Sequence, residues 1–236
     1  MKSLTTEFWK KYFKVYDALN ELIPYQNLLE TIIVQSEPKQ KDKILDLGSG
    51  SGNLAVKFGK FGADVTCIDS SEGAVAIHRQ KEPNANILEG DITRKLPFEN
   101  NYFDIVCSNN VIYTIDREKR RDLFAELYRV TKPSGKIIIS NLNRGFSPAK
   151  IYTDHINTSF KKNGFIKTVW SVLKFIYPTI LIFWYNYKIK KAHTGGQYQF
   201  LEVGEQESLL EKAGFKVSLR STPIYSNQAF LVKGYK

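Results

Sequence analysis

The chain is poor in the residues that cross-link small secreted domains or bind metal ions. Its 236 residues include two cysteines and three histidines. Cys67 and Cys107 each lie within an apolar, strand-like run, which indicates buried thiols in a reducing compartment rather than a disulfide. No cluster of cysteines and histidines has metal-ligand spacing, so we expect no metal site. The N-terminus lacks the apolar core of a signal peptide, and we expect a cytoplasmic location.

Acidic residues are scarce in one segment of the chain. The net charge is +10, and from Arg144 to His193 nine lysines and arginines accompany a single acid, Asp154. This segment therefore carries +8, and the rest of the chain carries only +2. Such a basic segment indicates an anionic partner, which could be nucleic acid, an acidic membrane surface or a negatively charged substrate.

Glycines are concentrated after one short apolar run. The run from Ile44 to Leu47 ends in Gly48, Gly50 and Gly52, and a helix-compatible segment follows, which is typical of a buried parallel strand that turns tightly into a helix. Glycines there allow backbone angles that a Cβ forbids and let a ligand lie directly on the peptide groups. A dinucleotide site would need a third glycine where Asn53 lies, and a P-loop would need Gly-Lys-Ser/Thr. A tight turn without a ligand is the structural alternative.

Strand-like and helix-like segments alternate along most of the chain. This alternation predicts a parallel sheet with helices on both faces, closed by two strands that pair antiparallel. The predicted strands are 44–47, 64–68, 86–88, 103–108, 136–140, 216–220 and 228–232. The predicted helices are two within 5–35 that break near Pro24, followed by 53–61, 72–80, 117–130 and 205–213.

The glycine segment resembles the first motif of the class I S-adenosylmethionine-dependent methyltransferases. It reads Asp-Leu-Gly-Ser-Gly-Ser-Gly over residues 46–52. Further landmarks agree with this family in order and distance: Asp69 after the second strand, Gly90-Asp91-Ile92 after the third, Leu96-Pro97-Phe98 and Phe103-Asp104-Ile105-Val106 at the fourth, and Leu127-Tyr128-Arg129-Val130 with Lys132-Pro133-Ser134-Gly135-Lys136 before the fifth. The similarity covers residues 40–142 and, more weakly, 200–236. It is to the small-molecule branch, which includes the ubiquinone and menaquinone biosynthesis methyltransferases.

The resemblance implies a fold and a domain organisation. We expect one α/β domain over residues 1–236, Rossmann-like and doubly wound, with a mostly parallel seven-stranded sheet and an antiparallel last strand. Residues 1–36 would form an N-terminal helical cap. Residues 145–199 would form a basic, amphipathic helical insertion before the last two strands. An aromatic stripe in the cap predicts either packing against the domain or a lid over a substrate pocket.

The resemblance also implies a set of cofactor contacts. Asp69 would accept both ribose hydroxyls, because an ionised carboxylate offers two oxygens to two O–H donors. Asp91 would accept the adenine amino group, and Asp46 would orient the loop or, through water, the ligand's ammonium group. Turn or helix capping is the structural alternative for Asp69 and Asp91. The full set of predicted cofactor-binding residues is Tyr16, Asp46, Gly48, Ser49, Gly50, Gly52, Asp69, Ser70, Asp91, Ile92, Ser108 and Asn109.

The sequence offers no strong catalytic base for the transfer. Methyl transfer from a sulfonium is an in-line displacement that needs alignment of the nucleophile, exclusion of water and sometimes removal of a proton. Tyr113, His155 and His193 are the catalytic candidates, with structural or solvent roles as the alternative for both histidines. His78 is expected on a surface helix without a function. The Asn-Pro-Pro-Tyr-like motif of enzymes that methylate exocyclic or amide nitrogens is absent from residues 109–113, which disfavours those acceptors.

The basic insertion suggests the acceptor. Apolar residues recur at helical spacing through it, Pro178 should kink or split the helix, and lysines flank it over residues 161–191. The uncharged run Phe175–Tyr187 is too short to span a bilayer, where about 20 residues are needed. The pattern predicts a helix in an anionic membrane interface, on the inner face of the membrane, and a lipophilic acceptor of quinone, prenyl or lipid type.

Other interpretations of the insertion remain open at the level of sequence. It could be a cap helix packed on the core or a dimer contact, and the oligomeric state is not determined. RNA or protein methylation would require a basic groove, yet the lysines flank an apolar stripe rather than alternate with stacking aromatics, which disfavours nucleic acid. A third hypothesis is a non-catalytic protein that binds S-adenosylmethionine and would release no S-adenosylhomocysteine.

Overall fold

The fold is built on one mixed sheet of seven strands. The computed structural model describes residues 6–193 and 199–236. The sheet order is β3-β2-β1-β4-β5-β7-β6, and β7 runs antiparallel to both of its neighbours. The strands are β1 (Lys43–Leu47), β2 (Asp64–Asp69), β3 (Asn86–Glu89), β4 (Phe103–Asn109), β5 (Thr131–Leu142), β6 (Lys216–Ile224) and β7 (Ala229–Tyr235). The predicted doubly wound fold with an antiparallel last strand is confirmed.

Helices cover both faces of this sheet. Consecutive residues of β1 point to opposite faces, so that Ile44 packs in one core with α2 and α3, and Leu45 packs in another with α5. Both cysteines are free and buried, as expected. The helices are α1 (Thr6–Tyr16), α2 (Ile23–Ser36), α3 (Asn53–Gly59), α4 (Glu72–Lys81), α5 (Arg117–Val130), α6 (Pro148–His193) and α7 (Glu205–Ala213).

The N-terminal helices break earlier than the sequence predicted. A 3₁₀ turn over Asp17–Glu21 separates α1 from α2. Pro24 lies in the first turn of α2 instead. A proline is tolerated there because the first N–H groups of a helix have no intrahelical partner.

The insertion forms a helical hairpin. Gly164 has non-helical angles, with φ 77° and ψ 176°, and divides α6 into two arms. The arms run antiparallel, because two side-chain contacts join them. His155 Nε2 of the first arm lies 3.0 Å from Ser171 Oγ of the second, and Ser159 Oγ of the first arm accepts from Thr168 Oγ1 of the second at 3.1 Å. Pro178 was predicted to kink or split the helix, and a split there is wrong, because the second arm stays helical through Pro178. The helix breaks at Gly164, where the backbone angles favour a residue without a Cβ, and not at Pro178, which lacks an N–H.

The hairpin is also more apolar than the uncharged run suggested. By length and composition alone, the helix over Pro148–Lys188 could cross a membrane: its most apolar 18-residue window has a mean hydropathy of 1.4, and 17% of that window is buried. The expectation that this segment is too short to span fails because the apolar stretch of the helix extends beyond the uncharged run on which that expectation was based. Phe175, Ile182 and Tyr185 nevertheless point inward and are buried against the domain.

Candidate active site

A cavity of about 740 Å³ opens at the carboxyl ends of β1, β2 and β4. This is the point where the strand order reverses, which is where open α/β sheets bind ligands. Its volume lies in the usual range for small-molecule sites. One end is lined by polar groups that follow the strands, namely Asp46, Gly48, Ser49, Gly50, Asp69, Ser70, Asp91 and Asn109. The other end is lined by aromatic side chains from α1, α6 and the loops, namely Tyr12, Phe13, Tyr16, Phe146, Phe183, Phe200 and Tyr225.

The loop after β1 presents bare backbone to the cavity. Gly48 and Gly52 both have positive φ, +71° and +81°. A Cβ on Gly48 would lie 2.3 Å from the Val111 side chain, and one on Gly52 would lie 2.3 Å from the His78 ring. Side chains at these two positions are excluded by their neighbours as well as by the backbone angles. Of the two, Gly48 lies at the cavity wall, where a ligand can approach its peptide groups closely.

Asp69 is oriented by two backbone donors at the end of β2. Its Oδ2 accepts from the Gly50 N–H and its Oδ1 from the Ser71 N–H, both at 2.8 Å. Burial raises the pKa of this carboxyl, although both backbone hydrogen bonds act in the opposite direction. Ser71, rather than Asp69, caps α4, because its hydroxyl accepts from the Ala74 N–H. The Asp69 carboxylate is thus fixed at the cavity wall with lone pairs left for a ligand.

Asp46 is a buried carboxylate with an unused oxygen. Only 2% of the residue is exposed, and its Oδ2 has no hydrogen-bond partner among the described residues. Burial, and then the nearby charge of Asp69, raise the pKa of Asp46 to about 7. A buried charge without a partner is unfavourable, so this position suits a ligand that brings a positive charge.

Asp91 closes a turn and also lies at the cavity wall. Its Oδ1 accepts from both the Thr93 N–H (2.9 Å) and the Thr93 hydroxyl (2.7 Å), which closes the turn after β3. These bonds, with the hydroxyl first, lower the pKa of Asp91, so the carboxylate is ionised at neutral pH. Asp91 and its neighbour Ile92 also line the cavity. Among the described residues, the Asp91 Oδ2 is paired only with Arg94, whose Nε lies 3.4 Å away.

Two of the predicted cofactor residues are placed behind the cavity rather than in it. The Ser108 side chain is buried and donates to the Leu47 carbonyl at 3.3 Å, so its predicted contact with the cofactor is not supported by its position. Gly52 faces His78 and begins α3. Asn109 does line the cavity, and its Oδ1 accepts from the Ser140 hydroxyl at 2.7 Å. Tyr16 and Ser70 also line it.

The three catalytic candidates have different positions. Tyr113 lines the cavity, its ring stacks on Phe200 with centroids 5.2 Å apart, and burial raises its pKa to about 12. His155 is buried between helices instead: its Nδ1 accepts from the Ile23 N–H at 3.2 Å while Nε2 lies 3.0 Å from Ser171 Oγ. Since both ring nitrogens join secondary-structure elements, the structure gives His155 a packing role. The side chain of His193 lies outside the described residues.

Sequence reasoning missed three residues at or beside the cavity. His78 is fully buried beside the glycine loop, not on a surface helix, because it belongs to the same inward face of α4 as Ala74. The period of that face could have shown this. Tyr25 and Tyr225 line the cavity, with ring centroids 6.1 Å apart. Tyr25 belongs to the buried face of α2, so its helical spacing could have predicted its burial. Tyr225 lies in a turn, where no periodic pattern predicts which side chains are buried.

The polar end of the cavity fits the cofactor that the resemblance implies. The ligand would carry a ribose diol for Asp69 and a positive charge beside the unpartnered Asp46 oxygen. Bare backbone at Gly48 and Gly50 permits close approach. These features match an adenosyl sulfonium that bears an ammonium group, and the residues present therefore suit S-adenosylmethionine.

Comparison with known proteins agrees with this geometry. Residues 45–139 match a family described as a methyltransferase domain. A demethylmenaquinone methyltransferase from Renibacterium salmoninarum is 30% identical over 116 residues, which cover 48% of this chain and 48% of that protein. The chain spans about half the length of the demethylmenaquinone methyltransferases that it matches.

Two solved structures share the fold over most of this chain. An S-adenosylmethionine-dependent methyltransferase from Aquifex aeolicus superposes with a TM-score of 0.62 and 17% identity, covering 96% of this chain and 97% of its own. Phosphoethanolamine N-methyltransferase 2 from Haemonchus contortus, solved with S-adenosyl-L-methionine, gives a TM-score of 0.58 and 23% identity over 91% of this chain and 44% of its own.

Proposed function

Because the chain carries a class I, S-adenosylmethionine-dependent methyltransferase domain, we propose that it transfers a methyl group to a small, apolar acceptor. One observation supports this most strongly. A single cavity joins the carboxylates and bare backbone at the strand ends to an aromatic wall from α1 and α6. Cofactor and acceptor would share one enclosed volume, as an in-line displacement requires.

The chain's own residues would bind and orient the two reactants. S-adenosylmethionine supplies a methyl group already activated by its sulfonium. Asp69 would hold the ribose, and the Asp46 carboxylate would attract the positive end of the cofactor. Phe13 and Tyr16 on α1 close the cavity from above the glycine loop and would keep water from the reacting atoms.

The aromatic wall offers phenols rather than a general base. Among the described residues that line the cavity there is no histidine side chain. Burial raises the pKa values of Tyr16, Tyr113 and Tyr225, so each remains a neutral phenol at physiological pH. A neutral phenol hydrogen-bonds a carbonyl or hydroxyl oxygen of a ligand but does not remove a proton at that pH. The acceptor would bring a nucleophile that needs little deprotonation by the protein.

We infer that the acceptor is the reduced, hydroquinone form of a quinone-like ring or a similar lipophilic compound, because the reduced ring supplies the electron pair that attacks the methyl group. Flat aromatic walls suit a flat apolar ring, and neutral phenols suit its oxygen atoms. The demethylmenaquinone methyltransferase among the relatives supports this class, although the match covers about half of each chain.

The test is turnover with defined acceptors. The purified chain is incubated with methyl-labelled S-adenosylmethionine and, separately, a demethylated naphthoquinone and a demethylated benzoquinone, each chemically reduced to its hydroquinone, total RNA and a protein extract. We expect S-adenosylhomocysteine and label in the quinone products. Label in RNA or protein alone would contradict the small-molecule proposal. Cofactor binding without release of S-adenosylhomocysteine from any acceptor would indicate a non-catalytic binding protein.

A further inference from the structure

The second arm of α6 carries apolar residues on its outer face, where a soluble helix carries polar ones. We name this face the α6 stripe. Its members occur singly or in adjacent pairs that repeat every three or four residues, so they share one side of the helix. They are Phe165, Ile166, Val169, Trp170, Leu173, Ile176, Tyr177, Ile180, Phe183, Trp184 and Tyr187. Trp170 is 70% exposed and Tyr177 is 72% exposed. A contiguous exposed stripe of this kind marks an interaction surface.

The arm cannot turn this stripe inward, because its opposite face is already packed. Phe175, Ile182 and Tyr185 are buried on the domain side. The Tyr185 ring meets Phe8 of α1 edge-on, with centroids 5.2 Å apart. The helix therefore lies along the domain surface with one apolar face inside and the α6 stripe outside.

The charged residues of the second arm are all lysines, and one of them, Lys174, is paired with Glu21 of the domain at 2.6 Å. Residues 155–193 contain no acid, and the one acid of the first arm, Asp154, is turned to the domain, where Oδ2 accepts from the Ser226 hydroxyl at 2.6 Å. Lys188 lies over the Trp184 ring, 3.8 Å from its centroid. The exposed lysines of the hairpin turn are Lys161, Lys162 and Lys167. Lysines beside interfacial aromatics are suited to anionic headgroups.

The α6 stripe is continuous with the candidate active site. Phe183 and Tyr187 belong to the stripe and also line the cavity. A lipophilic molecule that leaves a bilayer at this face would meet the cavity wall without crossing water.

We propose that the α6 stripe docks on an anionic lipid bilayer interface and that a lipophilic acceptor enters the cavity from that side. The docking rests on the helix face and its charges, and the entry of the acceptor rests on the proposed function. A bilayer is favoured over a second copy of this chain, because stripe-to-stripe pairing about a two-fold axis would bring the same lysines together. The arm lies in the plane of the interface, since its inner face remains on the domain.

The first experiment measures binding to vesicles of phosphatidylcholine, with and without phosphatidylserine, at low and high salt. We expect binding to the anionic vesicles, weakened by salt. The double variant Trp170→Glu/Tyr177→Glu should lose at least about tenfold in affinity, because two aromatic anchors are replaced by charges that anionic lipids repel. Val34→Glu is the matched control, because Val34 is 67% exposed on α2, outside the stripe. The control should bind vesicles as the parent chain does.

A second variant tests the charges alone. Replacing Lys161, Lys162 and Lys167 by alanine should weaken binding to anionic vesicles by about fivefold per lysine and leave binding to neutral vesicles unchanged. Equal loss on both vesicle types would contradict the electrostatic part of the proposal.

Three further results would overturn the docking. The first is that a chain which binds S-adenosylhomocysteine in calorimetry binds neither vesicle type. This result would leave the proposed function intact. The second is a concentration-dependent dimer that Trp170→Glu/Tyr177→Glu abolishes. The third is membrane association that resists alkaline extraction, which would indicate a helix that crosses the bilayer. Vesicle binding by a chain that binds no cofactor would instead support the docking and contradict the proposed function.

Discussion

At the scale of single residues, two carboxylates give the cavity its electrostatic character. Asp69 is held by the N–H groups of Gly50 and Ser71, whereas the Asp46 Oδ2 has no partner among the described residues. The two acids lie near the carboxyl ends of neighbouring strands, and the charge of Asp69 adds to the effect of burial in raising the pKa of Asp46. A cationic ligand relieves this repulsion.

Asp69→Asn should weaken cofactor binding by about 10- to 100-fold. Hydrogen bonds to a charged group contribute about 1.5–3 kcal/mol, and the amide replaces one acceptor oxygen by a donor. Calorimetry with S-adenosylhomocysteine measures the change. Asp64→Asn is the control, because Asp64 begins the same strand at the opposite edge of the sheet and should bind as the parent does. Equal affinities of both variants would contradict the role of Asp69.

Cofactor affinity should fall as pH falls through about 7. The pKa of Asp46 is raised to about 7, so below that pH the folded protein holds a neutral carboxyl that no longer attracts a cation. The loss should approach about tenfold per pH unit. By linkage, the same raised pKa means that the fold itself loses stability as pH rises from about 4 to 7.

Calorimetry from pH 6 to 8 in buffers of different ionisation enthalpy checks this expectation, since binding near pH 6.5 should release protons. Asp46→Asn should flatten the profile. A variant with the parent's slope would show that another group, such as Asp69, carries the pH dependence.

Gly52→Ala should destabilise the protein by more than about 1 kcal/mol, because φ is positive there and the new Cβ would lie 2.3 Å from the His78 ring. Urea unfolding measures the change. Gly59→Ala is the matched control, because no atom lies within 4 Å of its Cβ and its φ is not positive, and it should be neutral or slightly stabilising. Partial recovery in Gly52→Ala/His78→Ala would identify the ring contact as part of the cost.

At the scale of elements, the hairpin of α6 is fixed by a glycine and a histidine. Gly164 supplies a backbone conformation that other residues rarely adopt. His155 joins the first arm to Ser171 of the second and to the start of α2 through Ile23. Burial lowers the pKa of His155, so the ring is neutral at physiological pH. Its Nδ1 can therefore accept the Ile23 N–H.

Gly164→Ala should open the hairpin locally. No atom lies within 4 Å of the new Cβ, so the cost is that of the backbone angles, about 1–3 kcal/mol. Hydrogen exchange should show faster exchange in both arms of α6 and an unchanged rate in β1 and β4. Gly145→Ala, where φ is not positive, serves as the control. A uniform loss of protection across the sheet would show that the hairpin does not unfold separately.

At the scale of the whole molecule, the cavity links elements that are distant in sequence. Its walls come from α1, the strand ends, α6 and the turn before β7. A ligand there should stabilise all of them together. Cofactor at about 100 times its Kd adds about 2.7 kcal/mol, which for a chain of this length raises Tm by about 5–10 °C.

Thermal unfolding with S-adenosylhomocysteine measures the shift, and hydrogen exchange should show protection of α1 and the second arm of α6 as well as the glycine loop. Asp69→Asn should show a smaller shift of about 1–5 °C at the same ligand concentration, because binding weakened by about 10- to 100-fold leaves only about 0.4–1.4 kcal/mol of stabilisation. Protection confined to the glycine loop would contradict closure of the cavity by α1 and α6.

Much of the architecture was determined by the sequence itself. The alternation of apolar runs with amphipathic helices predicted the strands and the helix over 117–130. Strands that are buried on both faces are continuously apolar, and a helix that is buried on one face has apolar residues at helical spacing. The glycines at 48–52 were found because a tight strand-to-helix turn admits few residue types, and the acids at 46, 69 and 91 were found through the resemblance to the methyltransferase family. All of these lie at the cavity except Gly52.

Only the tertiary structure decided how distant segments meet. Helical spacing showed that the arm of α6 is apolar, but not that Gly164 folds it back or that two of its outer residues reach the cavity. The contacts of His78 and His155 were also beyond the sequence, because a histidine's role depends on which groups its ring nitrogens contact. Local patterns record burial and backbone angles, whereas the partners of a side chain come from chain segments far apart, and the packing of the whole molecule brings those together.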